Sequence, residues 1–178
     1  MCRSLKNMEN NDRTDWSAFR RGDRSGMQRL YDRHSSAVMS FCLALCGDRN
    51  ESEDTVQESF LRLMREARSH RTVNSIRGWL IVTARNLILN RRRRASCRSL
   101  DQLPENYLCA PNNPEFGTTL SRVLAGLTVA ERELLLLREQ QGFAVAEIAG
   151  MLGLSEENVR VRLFRIRKKI KDKEVFLK

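Results

Sequence analysis

The chain has 178 residues, 41% of them hydrophobic, and a formal net charge of +10. That length suits one large or two small domains with an apolar core, and the excess cation points to a polyanion, either nucleic acid or an anionic membrane. No apolar run is long enough to span a bilayer, and five cysteines without a CxxC pair exclude a disulfide framework.

The opening MCRSLKNMENNDRTDW has no apolar centre of the kind a signal peptide needs, so a cytoplasmic protein is expected. Residues 1–13 are polar and expected to fray. A short helix is predicted over Trp16–Arg21, broken by Gly22-Asp23. A longer one follows over Ser25–Cys46, with Met27, Leu30, Tyr31, His34, Val38, Phe41 and Leu45 on one stripe and Gly47-Asp48 as its stop. Cys42 and Cys46 share a face there and read as core thiols.

The next helix is predicted over Ser52–Arg68, with Ser52 as N-cap and Glu53 and Asp54 in the first turn, where the dipole favours negative charge. Val56, Phe60, Leu63, Met64 and Ala67 form its inner stripe. Asp54, Gln57, Glu58 and Leu61 share the far side, which reads equally as a partner face or a solvated one. Ser69–Ser75 (SHRTVNS) is a loop of turn formers. It leads into IRGWLIVTARNLILNRRRR, a helix over Ile76–Arg94. Ile76, Trp79, Leu80, Thr83, Ala84 and Leu87 make its core stripe. Arg77, Arg85, Asn86 and Arg92 lie opposite, with Ile81, Val82, Ile88 and Leu89 between.

Residues 96–117 hold all three prolines, several asparagines and the acids Asp101, Glu105 and Glu115, and read as an acidic linker. Helices resume at Thr118–Gly126. Thr128 and Glu131 then form a capping box for a helix that carries Leu134–Leu137 and ends near Gly142. No stretch has a strand pattern.

Val145–Arg165 (VAEIAGMLGLSEENVRVRLFR) has the pattern of a helix-turn-helix. Ala149 is the small residue where the second helix crosses the first, and Gly153 allows the sharp turn. Ser155 caps the second helix, and Val159 plugs back into the core. Val159, Leu163, Ile166 and Ile170 make that helix's narrow inner stripe. Its outer side carries Glu157, Val161, Phe164, Arg165 and Lys168, flanked by Arg160 and Arg162, a composition suited to a DNA groove.

Three stretches in order, SEDTVQESFLRL (Ser52–Leu63), GWLIVTARNLILNRRRR (Gly78–Arg94) and AEIAGMLGLSEENVRVRLFRIRKKI (Ala146–Ile170), make the chain similar to extracytoplasmic-function sigma factors of the sigma-70 family. The resemblance implies an all-α protein of two small helical domains: a region 2 domain over 14–95 and a region 4 helix-turn-helix domain over 118–175, joined by the irregular linker. It implies an alternative sigma factor that binds core RNA polymerase, directs it to promoters and helps melt the minus-ten region. Asp54, Gln57, Glu58 and Leu61 would dock on polymerase. Ser69, His70, Arg71, Thr72, Asn74, Arg77, Arg85, Asn86, Arg91, Arg92 and Arg93 would meet minus-ten DNA. Glu157, Asn158, Arg160, Val161, Arg162, Phe164, Arg165 and Lys168 would meet minus-thirty-five DNA. An anti-sigma factor is implied as a further partner. No catalytic residue, metal, cofactor, membrane insertion or small-molecule substrate is implied. The loop SHRTVNS lacks the aromatic residue that many relatives carry before this helix.

Two other readings compete. A helix-turn-helix regulator that does not replace sigma leaves the Asp54/Gln57/Glu58/Leu61 face without a role. A metal-dependent nuclease would use Glu51, Glu53, Asp54 and Glu58, but capping and dipole effects already account for acids at a helix start.

Overall fold

The computed structural model describes residues 2–69, 73–98 and 126–175. They form α1 (Cys2–Arg20), α2 (Arg24–Cys46), α3 (Arg49–Glu66), α4 (Ile76–Arg98), α5 (Val129–Leu135), α6 (Val145–Leu152) and α7 (Glu156–Val175). A π-helical turn over Leu136–Gln140 continues α5. Among the described residues there is no strand. Residues 118–125 of the predicted helix over Thr118–Gly126, and residues 99–117 of the predicted linker, lie outside the described residues.

The first four helices form one bundle. The expectation that residues 1–13 fray is corrected for residues 2–13, because α1 begins at Cys2 and docks on α2 through buried charge at Asp12 and Asp15. Asp12 and Asp15 are buried. Arg33 bonds both, at 2.5 Å to Asp12 and 2.7 Å to Asp15; Arg29 reaches Asp15 at 2.6 Å, and His34 Nε2 lies 2.9 Å from Asp12. A polar N-terminal stretch can fold when each buried charge is paired in this way. Where α1 crosses α2, Gly26 lies against the backbone of Asp15 and Phe19, with no space for a Cβ. Trp16, Met27 and Leu30 fill the core beside this crossing, and Val38 and Phe41 extend it along α2.

Asp23 caps α2 by accepting from Ser25 N–H at 2.9 Å, and Gly47 ends it in the left-handed conformation, donating to the Leu43 carbonyl. The cap of α3 is Asp48, which accepts from Glu51 N–H at 2.7 Å. Ser52 is therefore not the cap. It is buried one turn inside, its hydroxyl donating to the Asp48 carbonyl at 2.6 Å. Thr55 and Ser59 are also buried and bond the carbonyl four residues back. These small, internally satisfied side chains make an inner face on which α4 can pack closely.

Buried residues on α4 include Ile76, Leu80, Ala84 and Leu87 as predicted, but also Ile81 and Ile88. The helix runs to Arg98, past the expected end of the first domain. In the second unit the Thr128–Glu131 capping box forms in both directions. Gly153 turns the chain at φ 65° between α6 and α7, and Ser155 accepts from Asn158 N–H. Ile148, Ala149, Val159, Leu163 and Ile166 are buried, giving the predicted helix-turn-helix. Lys169–Glu131 and Arg167–Glu139 ion pairs, at 2.7 and 2.6 Å, tie α7 to α5 and its π turn.

Candidate functional site

On α3, Asp54, Gln57, Glu58 and Leu61 fall at the spacing that aligns side chains on one helix face. Asp54 and Gln57 are exposed, and Leu61 keeps 46% of its surface in solvent. Glu58 is paired with Arg62 at 2.8 Å and Arg65 at 3.6 Å. The Arg62 hydrogen bond holds its carboxyl below the usual range. Leu61 borders a groove of about 870 Å³ lined also by Phe19, Met27, Tyr31 and Met64, of which Tyr31 and Met64 are exposed. An acidic stripe beside open apolar surface is a protein-docking composition.

The loop between α3 and α4 is partly described. Ser69 donates to the Glu66 carbonyl at 2.9 Å and carboxylate at 2.7 Å, and its own carbonyl accepts from Arg20. His70, Arg71 and Thr72 lie outside the described residues. Asn74 is exposed, and Ser75 starts α4 by accepting from Gly78 N–H at 3.1 Å. Asp12, Arg13 and Trp16 of α1 line a small recess with residues 73–76, so α1 walls this loop. Periodicity read along one segment at a time carries no signal of that contact.

The arginines of α4 divide into three groups. Arg91 donates to the Glu51 carbonyl at 3.3 Å and the Thr55 hydroxyl at 3.0 Å; Arg92 donates to the Leu45 and Cys46 carbonyls at 3.1 and 3.3 Å. Those carbonyls end α2, where a cation meets both orphan acceptors and the negative end of the dipole. In this structure Arg91 and Arg92 brace the bundle. Arg77 and Arg85 meet the second unit instead. Arg77 donates to the Gln141 backbone carbonyl and to its side-chain oxygen at 3.2 Å, and lies over the Phe143 ring at 4.9 Å. Arg85 pairs with Glu133 and also donates to Asn86 at 3.0 Å. Burial pushes the Glu133 carboxyl up, and Arg85 only partly counters it; burial likewise lowers Arg77. Asn86 and Arg93 remain exposed, Arg93 touching Asn90.

The outer face of α7 is open. Phe164 is 68% exposed and Val161 41%, with Glu157, Arg165 and Lys168 exposed around them. Arg160 pairs with Glu156, and Arg162 donates to Asn158 at 2.7 Å, so these two lie along the helix flank. Exposed aliphatic and aromatic carbon among cations, on the second helix of a helix-turn-helix, matches a major-groove reader.

Comparison with known proteins decides the family. The Sigma-70 region 2 family model matches residues 30–97, and the Sigma-70 region 4 model matches residues 118–170. The chain is 33% identical over 147 residues to the ECF RNA polymerase sigma factor SigL of Mycobacterium tuberculosis, covering 77% of this chain and 82% of SigL. This chain is an ECF sigma factor of the sigma-70 family. ECF sigma factor SigM of the same organism is 28% identical, covering 84% of this chain and 77% of SigM. The fold also matches two solved structures. One is the sigma factor RpoE with the anti-sigma factor NepR from Bartonella quintana, with TM-score 0.66, 16% identity and coverage of 82% of this chain and 94% of RpoE. The other is CnrH with the cytosolic domain of CnrY, with TM-score 0.69, 22% identity and coverage of 91% of this chain and 96% of CnrH.

The sigma factor's region 2 match begins within α2, so α1 lies before it. Its region 4 match contains the helix-turn-helix. The chain is thus an alternative RNA polymerase sigma factor, and the reading as an ordinary helix-turn-helix regulator is not favoured. Among the described residues no helix is long and apolar enough to cross a membrane.

Proposed function

We propose a division of labour among three surfaces of this sigma factor. Asp54, Gln57, Glu58 and Leu61 on α3 dock on core polymerase. The loop Ser69–Ser75, with Arg77, Arg85, Asn86 and Arg93 on α4, engages the opened minus-ten DNA, while Arg91 and Arg92 hold α4 in place against α2 and α3. The outer face of α7 reads minus-thirty-five duplex, with Val161 and Phe164 suited to thymine methyls and Arg165 and Lys168 to base edges or phosphates. The exposure of Phe164 on a helix whose opposite stripe is buried carries this reading. The protein acts in the cytoplasm, where RNA polymerase works, and an anti-sigma factor is a further partner.

Melting unstacks base steps at about 1.4 kcal/mol each. Capture of unstacked bases and backbone phosphate by region 2 offsets that cost. Transcription with purified core polymerase on a library of promoter fragments tests the scheme. New start sites that require this protein are expected. Charge reversal at Asp54 should weaken core binding and spare duplex binding, and Arg165→Ala should do the reverse. Equal loss of both functions in both variants would refute the division.

A further inference from the structure

We propose that α1 is a further DNA-binding element of region 2, and that its Arg13 takes a backbone phosphate of the opened strand beside the loop between α3 and α4. The inference rests on the assignment of that loop to minus-ten DNA. The Sigma-70 region 2 match begins at residue 30, so it gives α1 no role. Yet α1 lies against both described ends of the loop. Arg20 donates to the Ser69 carbonyl at 3.4 Å, and Asp12, Arg13 and Trp16 line a recess with residues 73–76.

The periodicity of α1 separates two tasks. Arg13, Trp16 and Arg20 fall at i, i+3 and i+7, which puts them on one helical face along roughly 10 Å of axis. That face meets the loop. Asp12 and Asp15 turn toward α2, where Arg33 bonds both and His34 meets Asp12. Asp12 therefore lines the recess with its charge already answered by Arg33 at 2.5 Å. Trp16 is 7% exposed, so it props the loop and offers no open ring face to a base. What α1 leaves open at this edge is a cation. Arg13 is exposed beside exposed Asn74. Arg29 and Arg33 hold the neighbouring carboxylates of Asp12 and Asp15, and among the described residues none pairs with Arg13.

The chemistry of single-strand capture calls for such a group. A base splayed out of the stack carries its own phosphate to the mouth of the surface that receives it, and single-strand sites set cations along that path. On α4 the exposed Arg93 lies roughly 25 Å along the helix from Ile76. Arg13 stands at the loop itself. A phosphate contact there carries no sequence information but fixes the strand's register on the loop. Arg13 thus adds affinity and salt dependence, and base preference stays with the loop.

The test uses the holoenzyme, formed with saturating core polymerase, and a labelled single-stranded 20-mer of mixed sequence titrated across a salt series. Core polymerase alone is titrated in parallel to subtract its own binding. Each phosphate contact on a single strand contributes about 0.7 to the slope of log affinity against log salt. Arg13→Ala is expected to flatten the slope by about 0.7 and to weaken binding about fivefold at roughly 0.1 M salt. Arg13→Lys keeps the charge and should keep the wild-type slope. Arg49→Ala removes the same charge at the far end of α3 and should not change the slope. An unchanged slope in Arg13→Ala would overturn the phosphate contact, whether or not affinity falls. Equal flattening in Arg49→Ala would overturn it too, by reducing the effect to net charge. Arg93→Ala separates these failures from failure of the underlying assignment. If it flattens the slope and Arg13→Ala does not, the strand meets region 2 without α1. If neither flattens it, the minus-ten assignment of this surface falls as well.

Discussion

Asp15 is the residue on which α1 turns from a polar tail into a structural helix. Burial alone would raise its carboxyl, but hydrogen bonds and charge from Arg33 and Arg29 outweigh that and hold it below the ordinary carboxylate value. A carboxyl depressed on folding adds stability that is complete above the unfolded value of about 3.9 and is lost as pH falls through the lower folded value. The contribution of Asp15 to the docking of α1 should therefore be constant at neutral pH and be lost in acid. Emission from buried Trp16 in a Trp79→Phe background would follow it. Arg33→Ala leaves two buried carboxylates short of a cation and should cost about 3 kcal/mol in urea unfolding. A loss below 0.5 kcal/mol, on the order of a surface change, would mean that the cluster contributes little.

At the scale of elements, the turns were legible because their chemistry is local. Gly47, the Thr128–Glu131 box, Gly153 and Ser155 each act within a few residues of themselves, and each does in the structure what its residue type predicts. The helix-turn-helix stripe was legible for the same reason. Competing caps were not: Asp48 and Ser52 both precede acids, and what separates them is that Asp48 follows the left-handed Gly47 while Ser52 is drawn inside against Cys46 of α2. The fates of the α4 arginines were also hidden, because helical period gives a side chain's direction but not what another helix brings there. Two substitutions probe these elements. Asp48→Ala should cost about 1 kcal/mol through the lost cap. Gly26→Ala should cost more, about 1–3 kcal/mol, because a Cβ at that crossing pushes on backbone that cannot rotate away. Thermal unfolding of both variants orders them, and a Gly26→Ala protein as stable as wild type would show that the crossing can widen freely.

For the whole molecule, the Arg85–Glu133 and Arg77–Gln141 contacts hold region 4 on α4 in a closed form, and closure and polymerase binding are linked through one equilibrium. The α3 face is open in the closed form, so core polymerase can meet it before the regions part. If polymerase then holds the regions on separate sites, it stabilises the open form, and whatever favours opening must strengthen polymerase binding by the same factor. Glu133→Lys, which breaks the pair with Arg85, should thus bind core polymerase more tightly than wild type, by about the factor by which it tightens the free protein's binding to a mixed-sequence single-stranded 20-mer. Once both proteins are bound to core, their open fractions are both near one, and their affinities for a mixed-sequence single-stranded 20-mer should converge. Titration of labelled wild type and variant with core polymerase, followed by oligonucleotide competition on each holoenzyme, measures both quantities. Convergence on the holoenzyme together with divergence of the free proteins locates the effect in closure. A difference that persists on the holoenzyme would instead place it in the added lysine charge itself.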